Sequence, residues 1–195
     1  DSSLFVPYTP GDDERLEKAL SRPYMPLEYS SAEQNSLENT DGLPLAPFEL
    51  FDYQEEVLTK IADARRDLHS HRNLVVAATG TGKTVIAAND FKRFLKTHPD
   101  ATLLFIVHRE EIIRQARETF RRVLEDENFG EMWFSGVRPS VFRHVFASVA
   151  TLSSQLKKAP FPRDAFDYII VDEAHHVTAP SYAEVLSQFD PKVLL

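Results

Sequence analysis

From Ala78 to Thr84 the chain reads ATGTGKT, placing two glycines, a lysine and hydroxyl side chains within seven positions. Gly80 and Gly82 can adopt backbone conformations that turn N–H groups inward toward an anion. A helix starting at the same point adds the positive end of its dipole. Gly82-Lys83-Thr84 closes the phosphate-loop spacing G-x-x-x-x-G-K-[ST], with Ala77 standing where the first glycine is expected. In such a cradle Thr79, Gly80, Thr81 and Gly82 surround the phosphates. Lys83 neutralises the outer ones, and the Thr84 hydroxyl reaches a magnesium ion. Two other readings exist: a plain glycine-rich strand-to-helix turn, and a dinucleotide fingerprint from Gly80-Thr81-Gly82. The second needs a further glycine, and none follows at the right spacing.

A phosphate loop binds nucleotide, whereas hydrolysis also needs carboxylates near the magnesium. The stretch YIIVDEAHH, Tyr168 to His176, supplies them. Asp172 ends an apolar run and is placed to hold the metal with Thr84, while Glu173 is placed to orient the attacking water. The alternatives are two surface carboxylates after a strand, or a metal cluster of Asp172, His175 and His176. The cluster matches no H-E-x-x-H spacing and has no evident further ligand.

The elements around these residues follow from periodicity. Tyr53, Val57, Leu58, Ile61 and Leu68 share one helical face, and Asp52 with Glu55 has capping-box spacing, which predicts a helix over Tyr53–Leu68. Apolar runs at 74–78, 102–107, 145–149 and 168–172 alternate with helical patterns at Lys83–Lys96, Glu110–Leu124 and Pro180–Phe189. Runs this continuous are buried on both faces, so the expected fold is a doubly wound α/β layer with a parallel sheet and helices on each side. Function then belongs at the C-terminal strand ends. The arginines of the 110–124 helix read as a solvated face with the charge order the dipole favours. Asn128–Ser140 reads as a turn-rich loop with exposed aromatics and no assignable role.

The net charge of −8 is unevenly distributed. Residues 1–56 carry 13 acidic and 3 basic side chains, against 17 and 19 in the remainder. The body can therefore hold a local phosphate-tracking groove although the chain as a whole is acidic. Residues 1–47 contain six of the 12 prolines and an aperiodic polar run, and read as a linker or arm with a short helix at Asp12–Leu20. Residues 48–195 form the expected domain. The absence of cysteine excludes disulfides and thiolate chemistry, and is compatible with a reducing cytosolic setting. No apolar run approaches the roughly 20 residues of a membrane span, and the N-terminus has no basic region followed by an apolar one.

Together, ATGTGKT and DEAH resemble motifs I and II of the superfamily 2 DEAD/DEAH-box helicases, particularly bacterial members related to the helicase subunits of type I and type III restriction enzymes. The resemblance covers Phe48 to Leu195 and implies the first RecA-like lobe of an ATP-driven motor, a P-loop NTPase using ATP and Mg2+. FDYQ resembles the adenine-reading segment, which makes Gln54 the adenine contact, with Phe51-Asp52 in place of the usual arginine. IVHREEIIRQ resembles motif Ia and FASVATLSSQ motif Ib, so His108, Arg109 and Thr151 become contacts to a nucleic-acid backbone. Ordinary helix capping is the alternative for both. His175 matches the histidine that couples the nucleotide site to later motifs. The resemblance favours DNA over RNA, and it implies a second RecA-like lobe beyond this stretch together with weak turnover by the 195 residues alone. A nucleotide-dependent switch without translocation remains the alternative to a motor.

Overall fold

The computed structural model describes residues 5–7, 49–76, 80–172 and 180–195. The expected helix at Asp12–Leu20 lies outside them. Twelve elements are present among the described residues: β1 Phe5–Pro7, α1 Asp52–Asp67, β2 Asn73–Val75, α2 Lys83–Leu95, β3 Leu103–Val107, α3 Glu110–Leu124, β4 Glu131–Trp133, β5 His144–Ser148, α4 Val149–Leu156, β6 Tyr168–Val171, α5 Pro180–Ser187 and β7 Val193–Leu194.

Five strands form a parallel sheet in the order β4-β5-β3-β6-β7. The central strand shows why its sequence is apolar throughout. Leu103, Phe105 and Val107 join a core with Ala88 and Phe91 of α2 and Ile113 and Phe120 of α3. Leu104 and Ile106 point the other way, into a core with Leu152 of α4 and Tyr182 and Val185 of α5. Successive strand residues face opposite sides, so the central strand of a sheet covered on both faces has no side turned to solvent. The expected α/β layer is therefore the one observed.

The strand entering the phosphate loop extends this sheet. Arg72 bridges to Leu194 in parallel, and the Leu194 N–H donates to the His71 carbonyl at 2.9 Å. On its outer side β2 pairs antiparallel with β1, Phe5 opposite Val75 and Pro7 opposite Asn73. A short stretch of the proline-rich arm is thus a strand, and Pro7 ends it where a missing N–H is tolerated.

Four local expectations are corrected. The capping box at Asp52 and Glu55 does not form; the helix begins one residue earlier, with Phe51 at its N-cap, and Gln54 Oε1 accepts the Phe51 N–H at 3.1 Å. Val149 opens a helix that periodicity did not reveal, α4, rather than closing a strand. Asn128–Ser140 is not simply a loop, for it contains edge strand β4, and its aromatics Trp133 and Phe134 are buried. A three-residue strand is too short to display alternation. The α3 arginines are not all solvated either, since Arg121 Nε donates to the Phe129 carbonyl at 2.8 Å and closes the turn after the helix.

Candidate functional site

The residues singled out in the sequence converge on the C-terminal edge of the sheet. Gly82 has φ +74 and forms the N-cap of α2, so Lys83 and Thr84 occupy the first turn of a 13-residue helix whose positive end faces the loop. Gly80 is left-handed as well, with φ +83. Position 82 is constrained on a second count, because an added Cβ would lie 2.5 Å from Gln54 Nε2 and the amide that holds Thr81 would have to move. Among the described residues, no atom beyond its chain neighbours lies within 4 Å of the corresponding point on Gly80.

Gln54 is buried beneath this loop. Its Nε2 donates to the Thr81 carbonyl at 3.2 Å, and the Tyr53 hydroxyl donates to the same oxygen at 2.7 Å. The start of α1 thereby holds the loop backbone through two side chains. One donor and one acceptor position of the Gln54 amide remain beyond these bonds, enough for an adenine edge. Tyr53 was missed as a loop-holding residue because at helical spacing it reads as a core position. Its signal was adjacency to Gln54.

Asp172 follows β6, and its N–H donates to the Ile106 carbonyl at 3.0 Å, which fixes it at the tip of the sheet. Only β7 separates β6 from β2, so the two tips are about 10 Å apart, within reach of a bound triphosphate and its metal. Thr84 and Asp172 are hard oxygen donors. Magnesium keeps most of its waters in such sites and needs only one or two protein ligands, so this pair fits it. Thr79, Glu173 and His175 lie outside the described residues.

A buried network fixes the elements that carry the site. Arg65 of α1 donates to both carboxylate oxygens of Asp90 of α2, at 2.8 and 2.6 Å, and to the Tyr168 hydroxyl of β6 at 3.2 Å. Tyr168 in turn donates to Asp90. Burial raises the Tyr168 hydroxyl well above its ordinary value, and the Asp90 charge adds to this, so it remains a donor. Three elements are joined at one point: the helix carrying Tyr53 and Gln54, the helix beginning at Lys83, and the strand ending at Asp172.

The expected nucleic-acid residues occupy the other half of the same edge. His108 and Arg109 follow β3 and are exposed, with Arg109 at the extended N-cap of α3 and making no side-chain capping bond. Thr151 lies in the first turn of α4. Its N–H donates to Ser148 Oγ at 3.2 Å, and the two hydroxyls are 2.9 Å apart. Thr151 therefore does take part in helix capping. The structure brings Gln54, Gly80, Thr81, Gly82, Lys83 and Thr84 together around one loop, and places His108, Arg109 and Thr151 across the β3 and β5 tips with Asp172 between the groups.

The chain is similar to known proteins in sequence and in fold. Residues 47–195 match the family described as type III restriction enzyme, res subunit. The chain belongs to that family. IRC3 of Saccharomyces cerevisiae, whose name describes an ATP-dependent helicase, is 32% identical over 146 residues, covering 72% of this chain and 21% of that protein. The chain thus spans about a fifth of that relative's length. The UvsW helicase of bacteriophage T4 superposes with a TM-score of 0.60 at 17% identity, over 86% of this chain and 59% of that one. The type ISP restriction-modification enzyme LlaBIII, solved bound to DNA, gives 0.55 at 18% identity, over 76% and 12%. As a res-subunit domain the chain is a helicase-family domain, and its fold fits a first RecA-like lobe. No helix among its described residues is long and apolar enough to cross a membrane.

Proposed function

We propose that this lobe binds ATP with Mg2+ and, with a second RecA-like lobe of the parent chain, couples ATP hydrolysis to movement along DNA. The observation that carries the reading is the loop itself: Gly80 and Gly82 left-handed, Lys83 and Thr84 opening α2, and Asp172 at a tip of the same sheet. Gln54 reads the adenine edge while holding Thr81. Lys83 donates to the outer phosphate oxygens and draws charge off them as the terminal bond breaks. Thr84 and Asp172 hold the metal, which when bound neutralises charge on the phosphates. Glu173, the next residue of the DEAH sequence, orients the attacking water, and His175 links the site to the partner lobe. DNA is favoured over RNA by the family match to a restriction enzyme subunit and by a structural neighbour solved on DNA. The 195 residues alone are proposed to turn over slowly, because a second lobe supplies part of the charge that stabilises the transferred phosphoryl.

The test is ATP turnover by the full-length protein without polynucleotide and with single-stranded DNA, duplex DNA or RNA, beside Lys83→Ala. Stimulation by DNA that disappears in the variant is expected. Turnover that Lys83→Ala removes but no polynucleotide changes would replace the motor with a nucleotide-dependent switch.

A further inference from the structure

A groove of about 590 Å³ lies beside the tips of β4 and β5, and one of its walls is the segment that sequence reading left without a role. Thr151 and Gln155 of α4 form one side. Ser135, Gly136 and Arg138 form the other, and Glu110 also lines the groove. The second wall is a tight turn closed by Phe134 and Val137, whose N–H groups donate to each other's carbonyls at 3.2 and 2.8 Å, with Gly136 at φ +78.

The segment that follows this turn is braced by a carboxylate. The Glu131 carboxylate accepts from the Ser140 N–H at 2.7 Å, the Ser140 hydroxyl at 2.6 Å, and the N–H groups of Val141 and Phe142 at 3.0 and 2.9 Å. Burial opposes its ionisation, yet those donors hold its pKa down at about 2, so it is a charged brace at any working pH. The brace fixes the backbone under Phe142, whose ring packs edge-on against Trp133 with centroids 5.1 Å apart. Arg138 lies over that ring, its Cζ 5.8 Å from the centroid. On the neighbouring side Arg114 lies over the Phe134 ring at 5.2 Å. Among the described residues neither guanidinium enters an ion pair, although Arg65, Arg66, Arg93, Arg117, Arg121 and Arg143 all do. Glu110, the carboxylate near the groove, is instead turned to the Ser135 N–H at 3.4 Å.

We propose that Arg138 is a phosphate contact on the DNA track, held at the groove wall by stacking on Phe142 of the Glu131-braced segment, so that the backbone of a single strand runs between the Ser135–Arg138 wall and the start of α4. The inference rests on the motor reading and adds to it a contact and its positioning residue. An exposed guanidinium stacked on an aromatic face has lost much of its rotamer freedom, so its hydrogen bonds to a phosphate cost less ordering on binding. The buried Trp133 and Phe134 offer no open ring face to bases, which suits a track that grips the backbone without reading sequence.

The experiment titrates the full-length protein onto a fluorescent single-stranded oligonucleotide at several salt concentrations. It compares the parent with Arg138→Ala, Arg138→Lys, Glu131→Gln, the double variant Glu131→Gln/Arg138→Ala, and Lys158→Ala outside the groove. Arg138→Ala is expected to weaken binding roughly tenfold and to reduce the slope of log K against log salt by about 0.7. Arg138→Lys keeps the slope and loses part of the affinity, and Lys158→Ala matches the parent. Glu131→Gln weakens binding, and adding Arg138→Ala to it costs less than in the parent, the non-additivity of a residue acting through another. Parental affinity and slope in Arg138→Ala overturn the proposal while the motor stands. Additive effects overturn the positioning role of Glu131. A parent that hydrolyses ATP but binds no DNA would instead sink the motor reading itself.

Discussion

Replacing Asp90 by alanine removes the centre of the network joining α1, α2 and β6. Asp90 is 2% exposed and accepts from Arg65 twice and from Tyr168 once. Its loss leaves the Arg65 guanidinium, whose side chain is 15% exposed, without its counter-charge, and the Tyr168 hydroxyl without its acceptor. Breaking a buried pair by removing one partner costs about 3–5 kcal/mol, because the remaining charge stays desolvated. For a domain of this size that lowers Tm by about 6 to 20 °C. Tyr168→Phe removes two hydrogen bonds, the one accepted from Arg65 and the one donated to Asp90, and leaves the ion pair, so it should cost about 1–3 kcal/mol. The double variant Arg65→Met/Asp90→Leu should recover most of the loss, since nothing charged is then buried. Thermal unfolding followed by circular dichroism, with urea titration for the free energies, measures all four proteins. A Tm within about 2 °C of the parent for Asp90→Ala, or a double variant no better than the single one, would refute the claim that this network clamps the site elements.

Gly82→Ala should cut ATP affinity more than Gly80→Ala, as measured by calorimetric titration. Both residues are left-handed, which costs an alanine about 1–2 kcal/mol, but only at Gly82 does the new Cβ strike Gln54. His144 is half-buried against Phe129, with ring centroids 4.4 Å apart, and among the described residues its buried Nδ1 has no hydrogen-bond partner. Burial, aided by the Arg143 charge, lowers its pKa from 6.5 to about 4. The folded state therefore binds the proton less readily than the unfolded chain, and stability falls as pH drops from about 6.5 to 4. His144→Leu should flatten that part of the stability profile in urea titrations at successive pH values, and an unchanged slope would count against the burial account.

The motif residues were legible because each type answers a local chemical need. A phosphate cradle needs left-handed backbone beside a helix start, which only the Gly80-Thr81-Gly82-Lys83 order supplies, and the apolar runs of β3 and β6 announce burial on both faces. The short elements were not legible. Three residues of β4 contain too little pattern to tell strand from loop, and Val149 can end a strand or open a helix with equal local merit until Ser148 turns its hydroxyl to the Thr151 N–H. Periodicity also placed Tyr53 and Arg65 on a helix without showing what they touch. Tyr53 meets Thr81 28 residues away, and Arg65 meets Tyr168 103 residues away. By itself, then, the order of residues determined the phosphate loop, the carboxylate strand and the parallel layer, because these follow from backbone conformation and side-chain period. Only the tertiary structure decided that α1 grips the loop, that Asp90 is buried with a counter-charge, and that Glu131 braces the backbone of Ser140 to Phe142 beneath the ring Arg138 lies over. Those depend on distances between residues far apart in sequence, which are set when the two apolar faces of the sheet are covered.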